Sequence, residues 1–245
     1  AWGVEHLTPL ERAKKVLEAG CDQFGGESSP ELIIELVNSG QISEERIDNS
    51  IKRIMRDKFI LGLFDNPYVN VAKAKTIAGS EQFRKKGEIA QAKSTILLKN
   101  DNILPLKKGT KIYAVGMKDP SLINSYGEFV DEPEDADVIL TRITTPFEPR
   151  SDEFLENFFH QGRLYYNKEE LSEILNLNKQ KPTIVVANLE RPTILTEINS
   201  EAKALLAEFG TSDKILTDII FGEHVPSRKL PFELPSSWES VKNQK

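Results

Sequence analysis

The first sixty residues carry apolar side chains at the three- and four-residue spacing of amphipathic helices. The first helix is predicted to begin after Thr8, which is placed to form a capping box with Glu11, and to end at Gly20. A second helix is predicted over residues 29–37, where a Ser-Pro pair marks the start. This part of the chain is therefore expected to be mainly helical.

A third helix is predicted to begin at Ser43 and to bury one stripe of apolar side chains. The stripe consists of Ile47, Ile51, Ile54 and Met55. Between the first two helices, residues 21–26 have the length of a strand and its turn. Helix, short strand and helix in succession are typical of the closing units of an α/β barrel.

From residue 80 onward the pattern changes to short apolar runs that alternate with helices. A long helix is predicted over residues 80–93 and a strand over 95–99. Three further runs have the pattern of buried strands: 112–115, 138–140 and 183–187. A fourth run, 204–209, is compatible with strand or helix, and clear helical stretches cover 168–177 and 213–221. This alternation predicts the α/β class, with a mostly parallel sheet covered on both faces.

The two patterns are separated by a break in the chain. Asn66 and Pro67 end any preceding helix, because the residue before proline is disfavoured in the helical region. The predicted division is a first domain over residues 1–63, a linker over 64–79 and a second domain over 80–245.

Composition excludes several functional classes. The chain has 245 residues and a net charge of −6, whereas nucleic acids and anionic membranes bind surfaces with a basic excess. Cys21 is the only cysteine, and His6, His160 and His224 lack the spacing of metal ligands. The sequence contains no Gly-rich phosphate loop and no H-E-x-x-H motif. We therefore predict no metal, no cofactor, no nucleic acid and no membrane partner.

Four separated motifs follow one another in a characteristic order. They occupy residues 45–65, 90–106, 183–192 and 216–232. The first has the pattern R-I-D-x-S-x-x-R-I running into K-F-x-L-G-L-F, and the last has Arg228 where glycine is usual. Together the motifs resemble the C-terminal part of glycoside hydrolase family 3, of the β-glucosidase type. The resemblance implies the end of a (β/α)8-type barrel domain followed by an α/β sandwich domain.

The resemblance also implies retaining hydrolysis of β-glucosides or related oligosaccharides, at the junction of the two domains. That reaction requires a nucleophilic carboxylate and a carboxylic acid about 5–5.5 Å apart. The family's nucleophile is an aspartate in an S-D-W or T-D-W motif, which this sequence lacks. The aspartate is therefore expected upstream of Ala1, and the chain is expected to be a fragment that is inactive alone.

The acid/base is carried in the family by a loop that begins at a G-E pair and ends at an H-N-G motif. By position, Glu148 takes the acid/base place, although Phe147 and Pro149 replace the usual glycines. These neighbours favour shielding of Glu148 from water, as a general acid requires, and the alternative is an ordinary exposed loop carboxylate. Glu153 is the alternative, although its surroundings are typical of a solvated helix start.

Substrate contacts are expected from Arg150, Phe158 and His160, by their place in the same loop. Its aromatic residues either form a wall for sugar stacking or anchor the loop to the core. They are Phe158, Phe159, Tyr165 and Tyr166. The expected partners are a carbohydrate substrate and the missing barrel portion or another chain. The resemblance implies a bacterial periplasmic or cytoplasmic protein without deciding between these compartments. The alternative function is a non-catalytic α/β module that binds a carbohydrate or a partner chain.

Overall fold

The computed structural model describes residues 3–26, 28–149 and 158–244. The chain divides into two compact units, with the division between Ala78 and Gly79. Among the described residues, no helix combines the length and the apolar character that crossing a membrane requires.

The described residues of the first unit form the helices α1 (Pro9–Glu18), α2 (Pro30–Asn38), α3 (Glu44–Ile60) and α4 (Val71–Ile77). The predicted capping box is present, since Thr8 accepts from the Glu11 main-chain N–H and the Glu11 side chain accepts from that of Thr8. Ser43 caps α3 through the main-chain N–H of Arg46. The first three predicted helices are therefore confirmed. Helix α4 lies within the segment predicted as a linker, because its seven residues are too few for a helical spacing of apolar side chains to be recognised.

Two details of the first unit differ from the sequence-based expectation. Residues 21–26 form a loop and not a strand. The reason lies in α3, whose side chains bind this segment: Arg46 donates to the Cys21 carbonyl oxygen at 3.0 Å, and Ser50 donates to Asp22 at 2.7 Å. The predicted buried stripe is also incomplete, because Ile51 is 50% exposed.

The second unit is built on a six-stranded sheet. Its strands are β1 (Ile96–Asn100), β2 (Lys111–Val115), β3 (Glu128–Phe129), β4 (Val138–Thr144), β5 (Thr183–Asn188) and β6 (Ala204–Glu208). They lie in the order β1-β6-β5-β4-β2-β3. Among the strand pairs that the structure describes, β1–β6 alone is antiparallel. The predicted α/β fold with a mostly parallel sheet is confirmed, and the run at 204–209 is resolved as a strand.

Helices cover both faces of this sheet. They are α5 (Glu81–Ser94), α6 (Lys168–Gln180), α7 (Thr196–Glu201) and α8 (Asp213–Ile220). The unit also contains α9 (Trp238–Lys242) and short 3₁₀ helices at Pro120–Ser125 and Pro133–Asp135. Alternate residues of β5 show the two layers. Ile184 belongs to the apolar cluster that includes α8, and Val185 belongs to the cluster that includes α6 and α7. A strand buried on both faces reads as a continuous apolar run, as predicted.

Candidate functional site

The order of the strands places a cleft at one edge of the sheet. Strand β3 lies on one side of β2, while β4, β5 and β6 follow on the other side. Such a reversal opens a crevice at the carboxyl ends of the strands, between β2 and β4, and ligands of open α/β sheets bind there. Two neighbouring clefts of about 610 and 450 Å³ occupy this place, and Gly116 and Arg142 line both of them.

Gly116 follows β2 with φ of 82°, a conformation that favours glycine. A Cβ atom at this position would lie 2.2 Å from the main-chain oxygen of Arg142. Both the backbone conformation and the close approach of β4 therefore require glycine here.

Gly116→Ala should be more destabilising than Gly109→Ala. Gly109 has a similar φ of 84°, but a Cβ atom there would meet no other atom within 4 Å. The left-handed conformation costs both variants about 1–2 kcal/mol. Gly116→Ala should lose a further ~1–3 kcal/mol, because the overpacked main chain of β4 must shift. Urea denaturation of both variants measures the difference, and equal free energies of unfolding would contradict it.

A buried ion network lies at the base of the smaller cleft. Arg142, whose side chain is 12% exposed, donates to Glu208 at 2.8 Å and to Asp213 at 2.7 Å. The second oxygen of Glu208 accepts from the main-chain N–H of Thr211 at 2.6 Å. The second oxygen of Asp213 accepts from that of Lys118 at 2.7 Å. Each carboxylate thus accepts a main-chain hydrogen bond at this edge of the sheet as well as the bond from Arg142. The network joins the ends of β2, β4 and β6.

Glu148 lies on the segment that leaves β4 at this edge. Its main-chain N–H donates to the carbonyl oxygen of Gln161 at 2.8 Å. Its side chain is exposed, contrary to the expected shielding by its neighbours. Phe147 does not cover it, because that ring stacks on His160 with a centroid distance of 3.8 Å.

The structure brings Glu148 together with the predicted end of the loop. Gly162 has φ of 76°, and a Cβ atom there would lie 2.1 Å from Oε2 of Glu148. The glycine of the His160-Gln161-Gly162 segment therefore provides the space that the Glu148 carboxylate occupies. Nδ1 of His160 lies 2.7 Å from a carboxylate oxygen of Glu190, in the loop after β5.

The return arm of the loop is anchored to α6. Arg163 donates to both carboxylate oxygens of Glu170, at 2.6 and 2.8 Å. These hydrogen bonds lower the pKa of Glu170 below its ordinary value, so the pair stays ionised at neutral pH. Burial raises the pKa of Tyr166, whose hydroxyl donates to the main-chain oxygen of Thr144 at 2.9 Å. Arg163, Tyr166 and Glu170 line the larger cleft.

The aromatic residues of the loop differ in burial and contacts. Tyr166 anchors the loop, since it packs against the apolar cluster beside α6 and α7. Phe158 and Phe159 are exposed, by 69% and 52%. Tyr165 meets Trp238 edge to face, with 5.4 Å between the ring centroids.

Some predicted site residues are not placed by the structure. Arg150 and the alternative acid/base Glu153 lie outside the described residues. Within the described ranges, no group of three or more His, Cys, Asp or Glu side chains is placed to hold a metal ion.

Comparison with known proteins identifies the family. Residues 124–245 match the model of the glycosyl hydrolase family 3 C-terminal domain. The chain is 46% identical over its whole length to the probable β-glucosidase C of Aspergillus flavus, of which it covers 39%. It belongs to glycoside hydrolase family 3.

Two further proteins are similar to this chain. The chain is 39% identical to the periplasmic β-glucosidase/β-xylosidase of Dickeya chrysanthemi, over 99% of the chain and 38% of that protein. The solved β-glucosidase of Listeria innocua in complex with glucose superposes with a TM-score of 0.66, at 21% identity, over 94% of this chain and 37% of that one. The chain thus spans about two fifths of the length of the curated family 3 relatives it matches, and it corresponds to their C-terminal part.

The sequence patterns indicated the loop that carries Glu148 but not the ion network at the base of the smaller cleft. Arg142 and Glu208 are charged residues at the ends of apolar strands. A charged side chain in a buried strand needs an ionic partner, so these two residues could have indicated a buried ion pair. The contacts between the loop after β5 and the Glu148 loop had no comparable signal in the sequence.

Proposed function

We propose that the protein containing this chain is a retaining β-glycosidase that acts on β-glucosides, and that Glu148 is its acid/base. The observation that carries the proposal is the placement of Glu148. It lies at the carboxyl edge of the sheet, bonded through its main chain to Gln161 and packed against Gly162. The relatives covering the whole chain are named β-glucosidases, which favours the enzyme over a non-catalytic binding module.

In the first step, protonated Glu148 gives its proton to the glycosidic oxygen. An aspartate supplied by the rest of the protein attacks the anomeric carbon, and the aglycone leaves as an alcohol. In the second step, ionised Glu148 removes a proton from water, and this water displaces the aspartate. Two displacements at one carbon return the sugar in its original β configuration.

Substrate contacts in this proposal come from the same loop. Nδ1 of His160 is occupied by Glu190, so a sugar hydroxyl group would meet the imidazole at Nε2. Phe158, which is exposed on the return arm, is proposed as an apolar contact for the sugar. Arg150 is proposed as a further contact from the outgoing arm.

The 245-residue chain alone should not hydrolyse p-nitrophenyl β-glucoside, whereas the full-length protein should. The physical reason is that retaining hydrolysis needs two carboxylates on opposite sides of the scissile bond, and we assign only one to this chain. Release of p-nitrophenol by each purified protein measures this. Turnover by the chain alone that a point mutation within it abolishes would show that the active site is misplaced.

A further inference from the structure

The segment carrying Glu148 is held between two arms of one loop. The outgoing arm leaves β4 at Thr145 and Pro146, and the return arm passes through Gly162 and Arg163. The main-chain bond from Glu148 to Gln161 ties the arms to each other. Tyr166 and Arg163 bond the return arm to β4 and to α6. A further contact reaches both arms.

Arg191 supplies such a contact from the loop after β5. Its Nη2 atom donates to the main-chain oxygen of Gly162 at 2.8 Å. Its Nη1 atom lies 3.4 Å from the main-chain oxygen of Pro146 and 3.5 Å from that of Arg163. One planar guanidinium group therefore contacts both arms. It makes a short bond and a longer contact with the return arm, and one longer contact with the outgoing arm. The rigid fork of arginine suits this geometry, whereas a lysine ammonium is a point charge on a flexible stem.

The main chain of Arg191 is itself fixed to the protein core. The buried Thr145 hydroxyl lies 2.9 Å from the Asn188 carbonyl oxygen and 3.1 Å from that of Arg191. The hydroxyl of Thr193, which has no exposed surface, donates to the same Arg191 oxygen at 3.3 Å. The main chain of Arg191 is thus held next to the end of β5, and its side chain extends from there to the Glu148 loop.

The neighbouring ion pair makes a weaker contribution. Glu190 and His160 also join the β5 loop to the return arm, but their side chains are 58% and 36% exposed. Ion pairs at exposed sites contribute little to stability because water screens them. Arg191 is therefore a less exposed connection between the two loops than this pair. It acts beside the main-chain N–H of Ile194, which donates to the Leu164 carbonyl oxygen at 2.8 Å.

We propose that Arg191 is a positioning residue for Glu148, holding both arms of its loop so that the carboxylate meets the glycosidic oxygen. The proposal rests on the acid/base function proposed for Glu148. Since a displacement of about 1 Å in an active site can lower a rate roughly 10²-fold, release of this loop should impair catalysis without direct contact with the substrate.

The test compares the Arg191→Ala and Arg191→Lys variants of the full-length enzyme. The control is Arg228→Ala, at an exposed position. Two quantities are measured in each variant. They are the amide hydrogen exchange of residues 144–149 and 160–164, and kcat/KM for cellobiose and for 2,4-dinitrophenyl β-glucoside. Glu148→Gln is measured in parallel with the same substrates. Thermal melting confirms that each variant is folded, and Arg191→Lys serves if Arg191→Ala is not.

In Arg191→Ala we expect exchange in both arms to rise at least about tenfold, and cellobiose hydrolysis to fall about 10²-fold. Hydrolysis of the dinitrophenyl glycoside should fall much less, because its leaving group needs little protonation. Arg191→Lys should recover only part of both losses, and the control should match the wild type.

Three results would overturn the proposal, and each has a different meaning. Unchanged exchange in Arg191→Ala would show that Arg191 does not hold the loop. Raised exchange with equal losses on both substrates would show that it holds the loop without positioning an acid. Raised exchange together with a Glu148→Gln variant that treats both substrates alike would place the error in the acid/base assignment and not in the contact.

Discussion

Replacing Glu148 by glutamine in the full-length enzyme should lower the hydrolysis of cellobiose by about 10²- to 10⁴-fold, the usual contribution of a general acid. The alcohol that leaves a disaccharide is a poor leaving group and depends on protonation in the first step. Dinitrophenolate leaves without help, so the first step of the activated substrate should be nearly unchanged. The second step still lacks its base, and the glycosyl-enzyme should therefore accumulate.

This result is measured as the presteady-state burst of dinitrophenolate followed by slow turnover. The matched variant is Glu153→Gln, at the alternative carboxylate of the same loop, which should behave as the wild type on both substrates. If the two variants exchanged these behaviours, the loop would be assigned correctly and the carboxylate wrongly.

Replacing Arg142 by alanine should lower the free energy of unfolding of this chain by about 3–5 kcal/mol, the usual cost of removing one partner of a buried ion pair. Glu208 has no exposed surface and Asp213 is 7% exposed, so both carboxylates would remain buried without their counter-ion. For a unit of this size, about 2–4 °C in Tm corresponds to each kcal/mol. A loss of roughly 10 °C is therefore expected.

Urea denaturation followed by circular dichroism measures this difference. Arg228→Ala, at an exposed position, should change the free energy of unfolding by less than about 0.5 kcal/mol. An Arg142→Ala variant as stable as this control would show that the network contributes no net stability.

The sheet of the second unit was predictable because its central strands are buried on both faces. Residues 112–115, 138–140 and 183–187 are continuous apolar runs between helical patterns, and the structure confirms all three as strands. The run at 204–209 was too short for periodicity to distinguish strand from helix. Its pairing with β5 and β1, which are distant in sequence, makes it a strand.

Predictions failed where distant contacts decide local structure. Residues 21–26 have the length of a short strand and its turn, but the side chains of α3 bind this segment as a loop. Strand β3 has two residues, which is too short for a pattern. The assignment of the first unit to the end of a barrel domain stays a prediction.

The site was predictable in outline from the order of its motifs. By position, Glu148 takes the place of the family's G-E pair and residues 160–162 that of its H-N-G motif, which indicated one loop. The structure brings the two segments into contact. The exposure of Glu148 was not predictable, because it depends on Phe147 stacking on His160 instead of covering the carboxylate. The bonds of Arg142 span 66 and 71 residues, a separation that sequence patterns do not record.

The most direct test of the central claim is rescue of the full-length Glu148→Gln variant by azide, with 2,4-dinitrophenyl β-glucoside as substrate. An anionic nucleophile needs no general base, so azide should attack the accumulated glycosyl-enzyme and restore turnover. The product, identified by NMR, should be β-glucosyl azide, because two displacements retain the anomeric configuration. Turnover that does not respond to azide, with glucose as the sole product, would contradict the assignment of Glu148 as the acid/base.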